Sequence, residues 1–248
     1  MLSSEFTETA GKSIEVRAAQ EAPLTLWSDI RGPKHFVQFY RSEIFLVHSL
    51  AGYVTDGLKR GETCIVAATD KHHKMLDDHL SQDGSLNDLR SSGRLITVDT
   101  DHGLAEIMSG DILDEQKFRD NIEPVMIKAS KRGGGIRVFC ESVAVLAQRG
   151  NSDASLQLET FWNALREDYL FALFCAYPTS GFAGVPTPNR LHICDEHAVI
   201  IPDETYTNLK TGTARLSKIA CLQQRVSELE AELAEIKGQP DGRPLIAA

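Results

Sequence analysis

The run 170-LFALFCAYP-178 contains no charged residue and ends in a proline. Such a continuous apolar segment is typical of a strand that is buried on both faces, because helices cover both sides of a parallel sheet. Similar runs alternate with segments of helical period, and they are 35-HFVQFY-40, 63-TCIVAAT-69, 94-RLITVDT-100 and 136-IRVFCES-142. This alternation predicts an α/β fold of three layers with a mainly parallel sheet.

The segments between the predicted strands have the apolar spacing of helices that pack one face on a sheet. One of them stops at Gly61 and carries the stripe Ile44, Val47, Leu50, Ala51, Val54 and Leu58. Helices are predicted over residues 43–60, 71–81, 103–110, 114–131 and 152–168. In the last of these, Phe161 and Trp162 are expected in the core, because bulky residues on an apolar stripe pack inward.

The composition is that of a globular protein with an acidic balance. The chain has 248 residues, a formal net charge of -9 and a pI near 5.4, which argues against direct binding to nucleic acid or a membrane surface. No apolar run has the length of a membrane helix, and the amino-terminal segment lacks the apolar core of a signal peptide. The five cysteines are scattered and odd in number, as is usual for reduced thiols. We therefore expect a cytoplasmic protein.

Changes in composition divide the chain into four parts. Residues 1–30 have weak periodicity and are expected to form a poorly ordered arm. Residues 31–203 hold the α/β domain, and residues 204–237 form a C-terminal helix. Residues 238–248 are expected to be a disordered tail.

The C-terminal helix carries apolar residues at alternating steps of three and four, the a and d positions of a coiled coil: Ile219, Leu222, Val226, Leu229, Leu233 and Ile236. In a parallel dimer the g and e positions set Arg225 against Glu230 and Glu232 against Lys237, two pairs of opposite charge. A homodimer through this helix is therefore predicted. The alternative is an amphipathic helix folded back onto its own domain, because so few heptads are marginally stable alone.

A nucleotide site is the first possibility for a sheet of this kind, and it needs a glycine-rich loop whose amides approach the phosphates. The turn 67-AATDKHHK-74 after a predicted strand contains no glycine. The triplet 11-GKS-13 follows Phe6 where a phosphate loop requires glycine, and no predicted strand precedes it. The fold is therefore expected to lack a Walker A loop.

Polar residues at the predicted strand ends are candidates for a ligand cleft, because ligands of open α/β sheets bind outside the carboxyl ends of the strands. The candidates are His35, Tyr40, Thr69, His72, Glu141 and Tyr177. Glu141 also stands where an ATPase of this topology keeps an acidic residue, so the alternative function is a residual ATPase or a metal-dependent hydrolase using Glu141 and histidines. With no intact catalytic motif, we expect neither an enzyme, nor a cofactor, nor a metal.

The segment 192-HICDEHAVIIP-202 places three metal-ligating residue types close together. The order His-x-Cys-x-x-His matches neither paired cysteines nor a helical histidine pair, which are the specific signals for zinc. If residues 190–194 are extended, His192 and Cys194 share one face while His197 falls in a turn or helix start. The pattern therefore favours a structural role.

Several blocks of the sequence occur in an order that resembles the MEDS domain, a sensory domain named after methanogens, methylotrophs and a dichloromethane-responsive repressor. The resemblance covers residues 31–205 and lies in the order of the blocks. The blocks are 35-HFVQFY-40, 52-GYVTDGLKRGE-62, 65-IVAAT-69 with His72, 93-GRLITVD-99, 141-ESVAVLAQRGN-151, 158-LETFWNAL-165, 173-LFCAYP-178 and 193-ICDEHAVIIP-202. Two positions depart from related sequences, which tend to read Gly-Glu-Met at 140-CES-142 and His-Arg at His72 and His73.

The resemblance implies a RecA/KaiC-like fold without a phosphate loop, used as a small-molecule sensor in bacterial and archaeal signalling proteins. It also implies that 192-HICDEH-197 closes the sheet and leads the chain into an output helix. The expected function is thus a cytoplasmic regulatory module that binds a small molecule or a protein partner. It would transmit the signal through its dimerisation helix to a signalling protein such as a kinase or a transcription regulator. Relatives are proposed to bind hydrocarbon-derived or methylated compounds.

Overall fold

A computed structural model of the chain describes residues 27, 32–81, 86–180, 187–207, 209 and 211–238. Contacts divide the chain into two units, residues 1–207 and residues 208–248. The first unit holds the α/β domain and the second holds the long C-terminal helix. Apart from Trp27, the predicted arm 1–30 lies outside the described residues, as does the predicted tail after Gly238.

Strands and helices alternate along the first unit. The strands are β1 (His35–Tyr40), β2 (Thr63–Ala68), β3 (Leu95–Asp99), β4 (Met108–Ser109), β5 (Ile112–Leu113), β6 (Ile136–Cys140), β7 (Phe171–Pro178) and β8 (Val199–Ile201). Its helices are α1 (Glu43–Lys59), α2 (Asp70–Leu80), α3 (Leu86–Ser91), α4 (Thr100–Ile107), α5 (Glu115–Ser130), α6 (Ser142–Gln148), α7 (Ser152–Asp168), α8 (Thr187–Asp195) and α9 (Glu204–Thr207). The second unit contains α10 (Gly212–Gly238).

Six of the described strands form one sheet in the order β3-β2-β6-β7-β1-β8. Every neighbouring pair in it is parallel, which confirms the predicted parallel sheet. The short β4 and β5 form a separate antiparallel hairpin that the sequence reasoning missed. β7 lies at the centre, and all eight of its residues are buried, as its continuous apolar sequence predicts.

Helices cover both faces of the sheet and make a three-layer structure. On one face, α7 buries Phe161 and Trp162 against β7, which confirms their predicted place in the core. On the other face, α1 packs its apolar side chains against the same strands, and the Trp27 ring lies against Tyr53 and Phe174. Alternate residues of each strand therefore face different helices.

Parallel pairing places the carboxyl ends of the strands at one edge of the sheet. Tyr40, Ala68, Cys140 and Pro178 end their strands at this carboxyl edge. The connection from β1 to α1 consists only of Arg41 and Ser42, which is much shorter than a loop that wraps around phosphates. His35 opens β1 at the opposite, amino edge.

The segment before β8 differs from its expected conformation. Residues 190–194 belong to helix α8, so the extended arrangement considered for them is wrong. Pro188 stands near the start of α8, a position that a helix tolerates because its first amides need no intrahelical acceptor. The chain then forms β8 beside β1, so this segment does extend the sheet at its edge.

The six predicted seam residues of α10 lie on one helix of 27 residues. Their exposed fractions range from 39% for Ile219 to 69% for Ile236. Arg225 is paired with Glu228 and Glu232 of its own helix. Whether α10 forms a dimer stays a prediction.

Among the described residues, no helix combines the length and the apolar character needed to cross a bilayer. This finding concerns helices such as α10, the longest of them, whose sequence carries charged residues throughout.

Two neighbouring glycines before β6 allow a matched test of the packing there. Both Gly133 and Gly134 have positive φ, but a Cβ on Gly134 would lie 2.2 Å from the carbonyl oxygen of Gly61. A Cβ on Gly133 meets no described atom within 4 Å. We expect Gly133→Ala to lower the free energy of unfolding by about 1–2 kcal/mol through backbone strain alone. Gly134→Ala should cost about 1–3 kcal/mol more, because the clash adds overpacking.

Urea unfolding of the full chain measures both losses. Equal losses for the two variants would show that the close approach of Gly134 to Gly61 is absent.

Candidate functional site

A buried carboxylate organises the carboxyl edge of the sheet. Glu141 follows β6, and its backbone N–H donates to the carbonyl oxygen of Ala67 in β2. Its side chain accepts from the backbone N–H of Thr69 at 2.9 Å and from Nδ1 of His72 at 2.7 Å. Since Thr69 caps α2, the carboxylate also lies at the positive end of that helix. Both oxygens of Glu141 are therefore occupied by groups of the protein.

The other ring nitrogen of His72 makes no hydrogen bond to the described residues. A carboxylate only accepts, so the bond to Glu141 places a proton on Nδ1 of His72. Its Nε2 is buried and has no hydrogen-bond partner among the described residues. A polar atom buried in this way is costly unless something completes its hydrogen bonding.

Tyr40 ends β1 at the same edge and within electrostatic reach of Glu141. Burial, followed by the negative charges of Glu141 and Glu43, raises the pKa of Tyr40 far above its ordinary value. The phenol therefore keeps its proton near neutral pH and can act as a hydrogen-bond donor.

The turn between β1 and α1 holds a carboxylate of the same chain. Glu204 accepts from the backbone N–H of Arg41 at 3.0 Å and from that of Ser42 at 2.7 Å. Asp203 accepts from Nε of Arg41 at 2.8 Å. The Ser42 side chain makes no capping bond of its own, and Glu204 instead binds the two backbone amides just before α1. The amino end of a helix at this edge is a general anion site, and here the anion is a side chain.

A second polar cluster lies under α7, on one face of the sheet. Glu159 projects from α7 and is fully buried. Its Oε2 is 3.3 Å from Nε2 of His35 and 3.4 Å from Sγ of Cys175, and its Oε1 accepts from the Tyr177 hydroxyl at 2.8 Å. Nε2 of His197 lies 3.6 Å from Oε1. These residues come from β1, α7, β7 and the segment before β8.

Burial sets the protonation of this cluster. Burial alone would raise the pKa of Glu159, but the hydrogen bond from His35 and the charges of the two histidines hold it below its ordinary value. Burial and then the charge of Glu159 raise the pKa values of Cys175 and Tyr177 well above their ordinary range. Burial lowers the pKa of His197 to about 4, against the opposing charge of Glu159.

Four of these side chains have the composition of a metal site. His35, Glu159, Cys175 and His197 each offer one ligand atom, and the four atoms lie within 4.8 Å of one another. A surface cleft of about 400 Å³ opens nearby at the amino edge. It is lined by Pro33, Asn163, Arg166, Glu167, Asp195 and Glu196.

The structure divides the six predicted ligand residues between two places. Thr69, His72 and Glu141 are in direct contact, and Tyr40 lies near them. His35 and Tyr177 are not part of that group and instead contact Glu159. His35 is separated because it stands at the amino end of its strand, and Tyr177 because its side chain points toward α7.

Three residues of the second cluster were not among the predicted site residues. Glu159 carried the clearest signal, because it is a carboxylate one helical turn from Ser155 and Trp162 on the buried face of α7. Cys175 lies in a strand of core residues, and nothing in its spacing marked it as a ligand. His197 was considered with His192 and Cys194, yet it is the one that turns inward, with an exposed fraction of 7%.

Comparison with known proteins gives one family. The family model of the MEDS domain, described as the methanogen/methylotroph, DcmR sensory domain, matches residues 34–186. The matched range begins just before β1 and includes α7 and β7, but it ends before β8 and Glu204. A search of curated proteins found no match.

A double-mutant cycle tests the buried contact between His72 and Glu141. We expect the His72→Gln and Glu141→Gln changes to be coupled by about 1–3 kcal/mol in the free energy of unfolding, because the groups are in direct contact. The matched control is the exposed pair His102 and Glu106, whose coupling should stay below about 0.5 kcal/mol. Urea unfolding of each single and double variant measures both values. Couplings of similar size would contradict the buried arrangement.

Proposed function

The chain belongs to the MEDS family of sensory domains and has a signal-sensing role, and we propose that it binds a small molecule at the carboxyl edge of its sheet. Binding there would change the contact between the β1–α1 turn and Glu204, and so alter the segment that leads to α10. The output would be contact with another signalling protein, such as a kinase or a transcription regulator.

The state of His72 supports a ligand at the carboxyl edge. Its Nε2 is buried and lacks a hydrogen-bond partner within the described ranges, so a ligand atom would complete the bonding of the ring. Tyr40 supplies a protonated hydroxyl near the same place. Tyr40 belongs to a cluster of buried apolar side chains, so we expect a mainly apolar ligand with one polar end.

The same contacts favour binding over catalysis. A general base must reach the proton that it removes, but both oxygens of Glu141 are already engaged by Thr69 and His72. In this role Glu141 positions the ring of His72 and fixes which nitrogen carries the proton. We therefore propose that the domain is not an enzyme.

The observation that carries the proposal is the double hydrogen bond of Glu204. Glu204 accepts from the two backbone amides that directly follow Tyr40. It is also the first residue of α9, the last described element before α10. A ligand that prefers one arrangement of this turn would shift the population in which Glu204 is bound. The ligand can shift this equilibrium only by as much as its affinities for the Glu204-bound and Glu204-free states differ.

We propose further that α10 pairs with a second copy of itself. Its six seam residues are apolar at coiled-coil spacing and are half-exposed in the single chain. Exposed apolar stripes of this kind mark interaction surfaces. The opposite charges at the flanking positions favour a parallel partner of identical sequence.

Native mass spectrometry of the purified full-length protein tests the ligand proposal. We expect a bound small molecule whose mass is lost on denaturation, and we expect the His72→Gln variant to retain much less of it. The His102→Gln variant is the control, because His102 is exposed on α4. Equal retention by both variants would contradict a site at His72.

Charge placed on the α10 seam tests the dimer. We expect the double change Val226→Glu and Leu229→Glu to convert a dimer into a monomer, because four buried carboxylates would repel each other. The control, Ser227→Glu with Ala231→Glu, adds the same charge at positions off the seam and should leave the dimer intact. Analytical ultracentrifugation gives the masses. A monomeric parent protein, or a control variant that also dissociates, would refute the proposed seam.

A further inference from the structure

The orientation of one histidine in the cluster under α7 is fixed by its neighbours. The side-chain amide of Asn163 donates to the carboxylate of Glu196 through Nδ2, and its Oδ1 accepts from the guanidinium of Arg166. The same Oδ1 faces Nδ1 of His35 at 2.9 Å. Nδ1 of His35 therefore carries a proton, and Nε2, which faces Glu159 and Cys175, is the ring nitrogen that can bind a metal ion.

His197 has the same arrangement. Its Nδ1 donates to the backbone carbonyl oxygen of Ile193, one turn earlier in the chain. Its Nε2 is buried and without a hydrogen-bond partner in the described part of the chain. Because Nδ1 is the donor in that bond, Nε2 is the ring nitrogen left to bind a metal ion.

The buried carboxylate of Glu159 faces Nε2 of both histidines, at 3.3 Å from His35 and 3.6 Å from His197. With both rings neutral, these two nitrogens and the two carboxylate oxygens would all be acceptors, and the described side chains would supply one S–H from Cys175 and one O–H from Tyr177. Lone pairs that face each other in a buried site repel, and the desolvated carboxylate is costly without a positive charge. A positive charge at the centre, carried by a proton or by a metal ion, removes both costs.

We propose that His35, Glu159, Cys175 and His197 bind one divalent transition-metal ion of the Zn²⁺ class. Zinc lies roughly 2.0–2.3 Å from such ligands, so the edges of its tetrahedron measure about 3.3–3.8 Å. The three atoms Nε2 of His35, Oε2 of Glu159 and Sγ of Cys175 already form a triangle with sides of 3.3, 3.4 and 3.4 Å. The fourth ligand atom, on His197, needs only a small shift, since all four lie within 4.8 Å.

The ligand set selects the kind of metal. Two neutral imidazoles, one thiolate and one carboxylate neutralise a divalent ion, and Cys175 would release its proton to solvent on binding. Nitrogen and sulfur ligands favour Zn²⁺, Co²⁺ or Fe²⁺ over Mg²⁺ and Ca²⁺, which take oxygen ligands. Four protein ligands without an open position are typical of structural sites. The ion would join β1, α7, β7 and the segment before β8.

Three of the four proposed ligand side chains are held by a hydrogen bond to a neighbouring group, as is usual for metal ligands. Asn163 holds His35, the carbonyl oxygen of Ile193 holds His197, and the hydroxyl of Tyr177 holds Glu159. Such outer hydrogen bonds fix the tautomer of a ligating histidine and the orientation of a ligating carboxylate. This site lies apart from the ligand site at the carboxyl edge, and it does not depend on the function proposed for that edge.

Titration of the full-length protein with Co²⁺ tests the proposal. After removal of metal with a chelator, the protein should bind one cobalt ion per chain and show a thiolate-to-cobalt charge-transfer band with the visible absorption of a tetrahedral site. Cys175→Ser should abolish the charge-transfer band. Cys64→Ser, which changes a buried thiol on the other face of the sheet, should leave it unchanged.

A second test changes Asn163, which contacts the ligand His35, and leaves all four ligand residues unchanged. Asn163→Ala is expected to weaken zinc binding by about 10–100-fold, because His35 would lose the group that orients it. Asn121→Ala, on the exposed face of α5, is the control and should bind zinc as the parent protein does. Circular dichroism establishes that each variant is folded.

Three results would overturn the proposal. One is a folded parent protein that binds no cobalt, which would leave a proton rather than a metal in the cluster. Another is a charge-transfer band that persists in Cys175→Ser, which would place the metal on one of the other four cysteines. The last is X-ray absorption of the zinc-loaded parent protein that shows no sulfur, or two sulfurs, among the ligands, because the site contains one thiolate.

Discussion

The two backbone N–H groups between β1 and α1 need acceptors, and the carboxylate of Glu204 supplies both. These amides belong to Arg41 and Ser42, the whole of the turn after β1. A charged acceptor at such a position contributes about 1–2 kcal/mol to stability. It also ties the chain after β8 to the edge of the sheet where ligands of this architecture bind. The proposed signalling route depends on this contact.

The turn of two residues between β1 and α1 leaves no loop to surround a phosphate chain. At the same edge of the sheet the protein has the buried pair of His72 and Glu141. Glu141 holds the ring, and Nε2 of His72 has no hydrogen-bond partner among the described residues. The proposed ligand would therefore lie at the edge where open α/β sheets bind ligands, and side chains rather than loop amides would recognise it.

The features that follow from the local pattern of apolar residues could be predicted from the sequence. The apolar run of β7 predicted a parallel sheet, because a strand buried on both faces has a continuous apolar sequence. The apolar stripe of α7 predicted one of the helices that pack on this sheet. Strand-end positions likewise identified Glu141 and His72. The partners of Glu204 were not predictable in this way, because 163 residues separate it from Arg41. The cluster around Glu159 was missed for the same reason, since its members come from four different parts of the chain.

The most direct test of the account is amide hydrogen exchange at Arg41 and Ser42, followed by NMR in the parent protein and in Glu204→Ala. Both amides should be protected in the parent protein and should exchange much faster in the variant, while the amides of β7 stay equally protected in both. Fast exchange at Arg41 and Ser42 in the parent protein would contradict the account. Unchanged protection of these two amides in Glu204→Ala would contradict it as well.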